Sequence, residues 1–201
     1  MTQAVDLILL RAKIKDQAQN VSEIVSTLRL AKQDEFNRIV FTYSQDANFL
    51  YGYFYLNQPH PISAIDQSEF LGVTGNLLEE VEISRIVFMN PIDGFSSAEV
   101  PSNRYLVEMD PEAGWKEELF AWYDEEHLPG LASVPGCVEA TRCVNLDHLP
   151  HSLAFYDLLA PEVLGCDAWL KVRHTPWSDK VRPHFTNTRR TMFCFVNTYE
   201  K

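Results

Sequence analysis

Gly52-Tyr53-Phe54-Tyr55-Leu56 carries bulky apolar or aromatic side chains at both strand parities, and so does Met192-Phe193-Cys194-Phe195-Val196. A strand in an antiparallel sheet with one wet face alternates apolar and polar residues. Strands apolar on both sides belong to a sheet that is covered twice, by helices on one face and by a second sheet on the other. That reading sets the search for the remaining elements.

Working outward, Phe36 to Tyr43 precedes Phe49 to Leu56 across the polar turn Ser44-Gln45-Asp46-Ala47-Asn48, which makes a hairpin. Val5 to Leu10 reads as a strand, and Gln17 to Lys32 as a helix with Val21, Ile24, Val25, Leu28 and Leu30 at helical spacing. Pro59-His60-Pro61 breaks the strand pattern, Ile62 to Leu78 is helical in part, and Ile83 to Met89 is a strand. The order is βαββαβ.

The second half repeats it. Arg104 to Met109 is a strand, Gly114 to Leu128 an amphipathic helix, and Cys137 to Leu146 with Leu153 to Leu159 a hairpin. Pro161 to Val172 begins with proline at a favoured first-turn position and reads as a helix; Thr191 to Val196 is the last strand. Asp93 to Asn103, with Gly94, two serines and Pro101, is the linker. Asn37-Arg38-Ile39-Val40 matches Thr141-Arg142-Cys143-Val144, and Ser84 to Phe88 loosely matches Thr188 to Met192, at a common offset. The expected fold is α+β: two ferredoxin-like βαββαβ units forming an α+β barrel, an N-terminal half over residues 1–95 and a C-terminal half over 104–201. Whether the sheets face each other within one chain or between two copies of a homodimer stays open.

Composition excludes several classes. The chain has 201 residues, 46% of them hydrophobic, and a net charge of −11. The acidity is spread evenly over both halves, with no Lys/Arg run to displace counterions from phosphates, so no nucleic-acid partner and no anionic membrane partner is expected. Arg189-Arg190 sits in an apolar strand pattern and reads as a local ion-pairing feature. No apolar stretch approaches the roughly 20 residues of a spanning helix. Nothing at the N-terminus has the pattern of a targeting signal, and the cytoplasm is the expected location. Cys137, Cys143, Cys166 and Cys194 lack CxxC spacing and read as free thiols. His148 and His151 fall on a turn with no third ligand at matching spacing, so no metal is expected. No GxGxxG, P-loop, GxSxG or HExxH motif occurs, and no cofactor is called.

The chemistry concentrates in Trp122-Tyr123-Asp124-Glu125-Glu126-His127-Leu128-Pro129-Gly130-Leu131, followed by Val134-Pro135-Gly136 and a strand bearing Ala140-Thr141-Arg142. Trp115, Leu119, Phe120, Trp122 and Tyr123 form one apolar stripe, and His127 extends it one turn beyond Tyr123. In a last helical turn the dipole favours imidazolium, as do Asp124 and Glu126, whereas desolvation opposes it. A histidine so placed can exchange a proton near neutral pH, or simply cap the helix carbonyls. Arg142 could clamp a substrate carboxylate or phenolate, or pair with Glu108 or Asp157. Glu108 is either that partner or a second acid-base group. Tyr156 could donate to a ligand oxygen or be core, and Trp177 could close a pocket or pack on helices.

This segment resembles the EthD-like members of the dimeric α+β barrel superfamily, over about residues 104–197; the first half lacks the His-Leu-Pro signature. The superfamily includes small monooxygenases, lactone isomerases, dehydratase-like enzymes, haem proteins and members without known activity. The resemblance implies a pocket between sheet and helices, lined by a histidine near the end of the first helix. It points to His127 as the catalytic candidate; Glu108, Trp122, Tyr123, Arg142, Tyr156 and Trp177, read from their own positions, are the candidate ligand residues, and the expected ligand is a small apolar or aromatic molecule. A cofactor-independent enzyme, a non-catalytic binding protein and a haem-binding relative all remain open.

Overall fold

The computed structural model describes residues 3–15 and 21–201. Contacts divide the chain into two units: one runs to Val87 and takes in Leu146–His148 and Phe193–Lys201, and the other comprises Phe88–Asn145 and Leu149–Met192. Two long strands, β4 (Leu78–Asp93) and β8 (Phe185–Glu200), carry the chain across these boundaries. Both are far longer than the apolar cores Ile83–Met89 and Thr191–Val196 suggest, because their ends are polar: on β4 Glu82 pairs with Arg11 and Glu80 with Lys13, and on β8 Thr186 and Asn187 donate to Asp110.

In the first unit, β1 (Ala4–Ile14), β2 (Arg38–Ser44) and β3 (Phe49–Pro61) form an antiparallel sheet in the order β4-β1-β3-β2-β8. The helix α1 (Val21–Lys32) buries Ile24, Val25 and Leu28 in a core with Ile8, Leu10 and Phe54. The expected helix start at Gln17 lies outside the described residues. Pro59-His60-Pro61 does not break β3 as its sequence suggests. There β3 has passed the end of β2 and pairs only with β1, so one flank is an edge where proline forfeits no ladder bond. The helical stretch expected after it shrinks to α2 (Gln67–Leu71), capped by Asp66, and a 3₁₀ segment to Leu77.

The second unit repeats the plan. Its strands β5 (Asn103–Pro111), β6 (Cys137–Asn145) and β7 (Ser152–Leu158) lie in the order β8-β5-β7-β6-β4. The hairpin register puts Tyr105, Ala140 and Tyr156 on one face and Arg104, Glu139 and Asp157 on the other. The first face packs against α3 (Lys116–Trp122), α4 (Leu128–Ala132), α5 (Asp167–Arg173) and α6 (Pro176–Val181). On the opposite face Arg104 makes a bidentate, fully buried pair with Asp157 at 2.6 and 2.8 Å.

The expected single helix Pro161–Val172 is broken at Gly165, whose φ of +93° no helix allows. Between α3 and α4 lies one π-helical turn, Tyr123–His127, where the Leu128 N–H donates to the Tyr123 carbonyl. Pro129 explains it: the proline has no N–H for the carbonyl four residues back, and its ring crowds that carbonyl. No helix among the described residues is long and apolar enough to cross a membrane.

Candidate functional site

The π turn rotates His127 from the position that α-helical spacing implies. Its imidazole lies over the indole of Trp122, five residues earlier, with ring centroids 4.1 Å apart and planes 21° off parallel, and it meets Tyr123 only edge-on at 5.5 Å. The chain runs on helically to Ala132, so His127 ends no helix and caps nothing. The Trp122 Nε1–H donates to Glu126 Oε1 at 3.2 Å, and the Thr175 hydroxyl donates to the same oxygen.

His127, Trp122, Tyr123 and Tyr156 line a cavity of about 40 Å³ between these helices and β5, β7 and β8. Its floor is buried and aromatic: Trp122 is fully buried, Tyr156 is 1% exposed and His127 8%. Tyr105 stacks on Tyr156 at 6.3 Å, and Trp169 stands edge-on to both. The mouth, with Leu164 and Phe185 half-buried and Arg190 exposed, opens to solvent. Two floor atoms, His127 Nδ1 and the Tyr156 hydroxyl, are fully buried without a hydrogen-bond partner. A native core rarely leaves such atoms unpaired, and each is a place where a ligand or ordered water completes the bonding.

Three residues that the sequence did not single out complete the lining: Arg173 at the end of α5, Arg182 just after α6, and Arg190 on β8. Among the described residues none of the three makes an ion pair or a side-chain hydrogen bond. Burial, reinforced by two of these charges, reverses the electrostatics expected for His127. Burial foremost, then Arg182 and Arg173, pushes its pKa down to about 3, so the imidazole is neutral at pH 7. Burial likewise raises Tyr156 well above the ordinary tyrosine range and depresses Arg182, which Arg173 and Arg190 repel further.

The other expected ligand residues lie elsewhere. Arg142 is fully buried on the helix side, where its Nη1 donates to Asp124 Oδ1 at 2.8 Å and its guanidinium lies 4.0 Å from the Phe120 ring centroid. Glu108 and Asp157 face the other side of the sheet, so neither can be its partner; Glu108 pairs with Arg189 at 3.0 Å. Trp177 donates from Nε1 to Glu118 at 2.9 Å and packs on α3, away from the cavity. His151 Nδ1 sits 2.9 Å from its neighbour's carbonyl at Asn145, and among the described residues no three His, Cys, Asp or Glu side chains cluster as metal ligands.

No protein-family model matches the sequence, and no curated protein matches it. Solved structures do match in shape. A monooxygenase candidate from Fusobacterium nucleatum superposes with a TM-score of 0.69 at 11% identity, over 100% of this chain and 96% of its own. An anthrone oxidase-like protein gives 0.60 at 12% identity, over 97% and 93%. A heme-degrading enzyme from Listeria monocytogenes gives 0.55 at 8%, over 94% and 99%. The fold is ferredoxin-like α+β. At these identities the likeness extends to the fold alone, and the chemistry must be argued from the cavity.

Proposed function

We propose that the C-terminal unit is an EthD-like small-molecule site and that the chain is a cofactor-independent enzyme of the cytoplasm, with His127 accepting a proton from a small aromatic substrate. The N-terminal half then serves as a structural partner. One observation carries the reading: a buried, neutral histidine and a buried tyrosine hydroxyl, both lacking partners, share one aromatic-floored cavity. In the step envisaged, an acidic C–H or O–H bond of the substrate breaks, its electron pair stays on the substrate oxygen or ring, and the proton moves to the imidazole. Tyr156, whose raised pKa keeps it protonated, donates a hydrogen bond to the oxyanion that forms. Trp122 stacked on His127 fixes the ring plane for transfer.

Native mass spectrometry of the purified chain will show any co-purifying molecule. The chemistry is tested on a panel of phenols and carbon acids that includes anthrone, since an anthrone oxidase-like protein shares the fold, by following deuterium exchange in heavy water. His127→Gln should cut exchange by about a hundredfold or more. A native exchange rate in that variant would overturn the proposal.

A further inference from the structure

We propose that Arg173, Arg182 and Arg190 form an anion-binding subsite at the mouth of this cavity, and that the molecule it takes is a small aromatic carboxylic acid with its ring directed to His127 and Tyr156. The inference deepens the small-molecule reading above and rests on it.

The arginines come from three different elements, α5, the turn after α6 and β8, so no single amphipathic face explains their meeting. The chain carries 28 acidic side chains against 17 Lys and Arg, and five of its other arginines find them: Arg11 with Glu82, Arg85 with Asp147, Arg104 with Asp157, Arg142 with Asp124 and Arg189 with Glu108; half-buried Arg29 and Arg38 instead lie over the rings of Tyr199 and Tyr55. Around the cavity, among the described residues, that compensation is missing. Three guanidiniums held near one another, two of them half-buried, repel each other and gain nothing internal in return. A carboxylate between them supplies the missing charge, and the planar fork of arginine matches it with two parallel hydrogen bonds.

The second observation lies deeper. His127 Nδ1 and the Tyr156 hydroxyl, in side chains more than nine-tenths buried, are unpartnered in the same cavity. The ligand therefore needs a polar group at its inner end as well as an anionic outer end, with a flat apolar body between them to meet Tyr105, Trp169 and Phe185. A hydroxylated aryl carboxylate has that layout. Its charge would also act on the base. Facing His127 are Tyr123 on its own turn, Tyr105 on β5, Tyr156 on β7 and the three arginines. Burial is the larger cause of its neutrality and Arg182 and Arg173 add to it, so a carboxylate beside them raises its affinity for a proton in part when substrate is in place.

Calorimetry on the full chain with benzoate and its neutral isostere benzamide as probes tests this. Benzoate should bind, more weakly as ionic strength rises, and benzamide should bind at least about tenfold more weakly. Arg182→Gln and Arg190→Gln should each weaken benzoate by about tenfold, and Arg182→Lys, which keeps charge but loses the fork, by less. Since each Gln variant relieves repulsion, melting should show it folded. Equal affinity for benzamide, no binding of benzoate, or undiminished benzoate affinity in the Arg182→Gln/Arg190→Gln double variant would each overturn the subsite. Tighter binding of phenyl phosphate than of benzoate would overturn the choice of a carboxylate. The two readings fail separately. Benzoate held through the arginines while His127→Gln exchanges protons at the native rate removes proton transfer and leaves the subsite. His127-dependent exchange with no benzoate binding does the reverse.

Discussion

The indole of Trp122 and the imidazole of His127 stack across a π turn at 4.1 Å, a spacing of five residues that a regular α-helix cannot bring face to face. Trp122 is also fully buried and tied to Glu126. Trp122→Ala should therefore cost about 3–5 kcal/mol in chemical denaturation, as for other large core aromatics. Trp122→Phe, which keeps a ring over His127 and loses the bond to Glu126, should cost less.

Pro129 is the cause assigned to that turn, and the assignment can be checked. Pro129→Ala restores an N–H able to reach the Glu125 carbonyl, so the turn should relax to α-helical spacing and carry His127 off the indole. The imidazole proton resonances, shifted by the Trp122 ring current in the native chain, should move toward ordinary values. Unchanged shifts would place the cause of the π turn in packing.

What was legible in the sequence follows a physical divide. Apolar periodicity and turn chemistry revealed the βαββαβ order in both halves, and the matched tetrapeptides fall on β2 and β6, equivalent strands of the two units. The stripe on α3 and the histidine after it pointed to the right face of the second sheet. The arginines were not legible, because apolar periodicity marks no element between Arg173 and Arg190. A signal was present: Thr175-Pro176 is an N-cap followed by a first-turn proline, and the Thr175 hydroxyl accepts from the Ser178 N–H at 3.1 Å. Reading α6 there, and strand parity through Arg189-Arg190, sends Arg189 to Glu108 and Arg190 to the cavity face. The pairing of Arg142 escaped for a related reason: a partner on a helix leaves no register to count.

The Arg104–Asp157 pair is a cross-strand contact with both side chains out of water. Asp157→Ala leaves a buried guanidinium uncompensated and should cost about 3–5 kcal/mol. The double variant Arg104→Met/Asp157→Leu removes both charges and should recover most of that loss. Equal destabilisation in the single and double variants, measured by urea unfolding, would contradict the pairing argument.

Haem gives a spectroscopic check on the cofactor-independent reading. Hemin added to the purified chain should produce no Soret band that depends on His127, whose buried imidazole is stacked on Trp122. A Soret shift abolished by His127→Ala would overturn that reading in favour of a haem-binding protein.

The pH dependence of stability tests the site's electrostatics without any ligand. In the unfolded chain His127 titrates near its ordinary value of 6.5; in the folded chain burial, and then Arg182 and Arg173, holds it down to about 3. The unfolded state therefore binds a proton first as the solution is acidified. The stability that His127 contributes is complete above about pH 6.5 and is lost progressively as pH falls toward 3, with a slope of up to about 1.4 kcal/mol per unit from this one group. His127→Gln carries no such proton and should flatten the decline, so native and variant curves of melting temperature should diverge below pH 6.5 and run parallel above it. Arg182→Gln should flatten it only in part, because burial is the larger cause. Curves that stay parallel down to pH 4 would mean that the imidazole is protonated in the folded chain, and both the neutral base and the cationic cavity would fall with it.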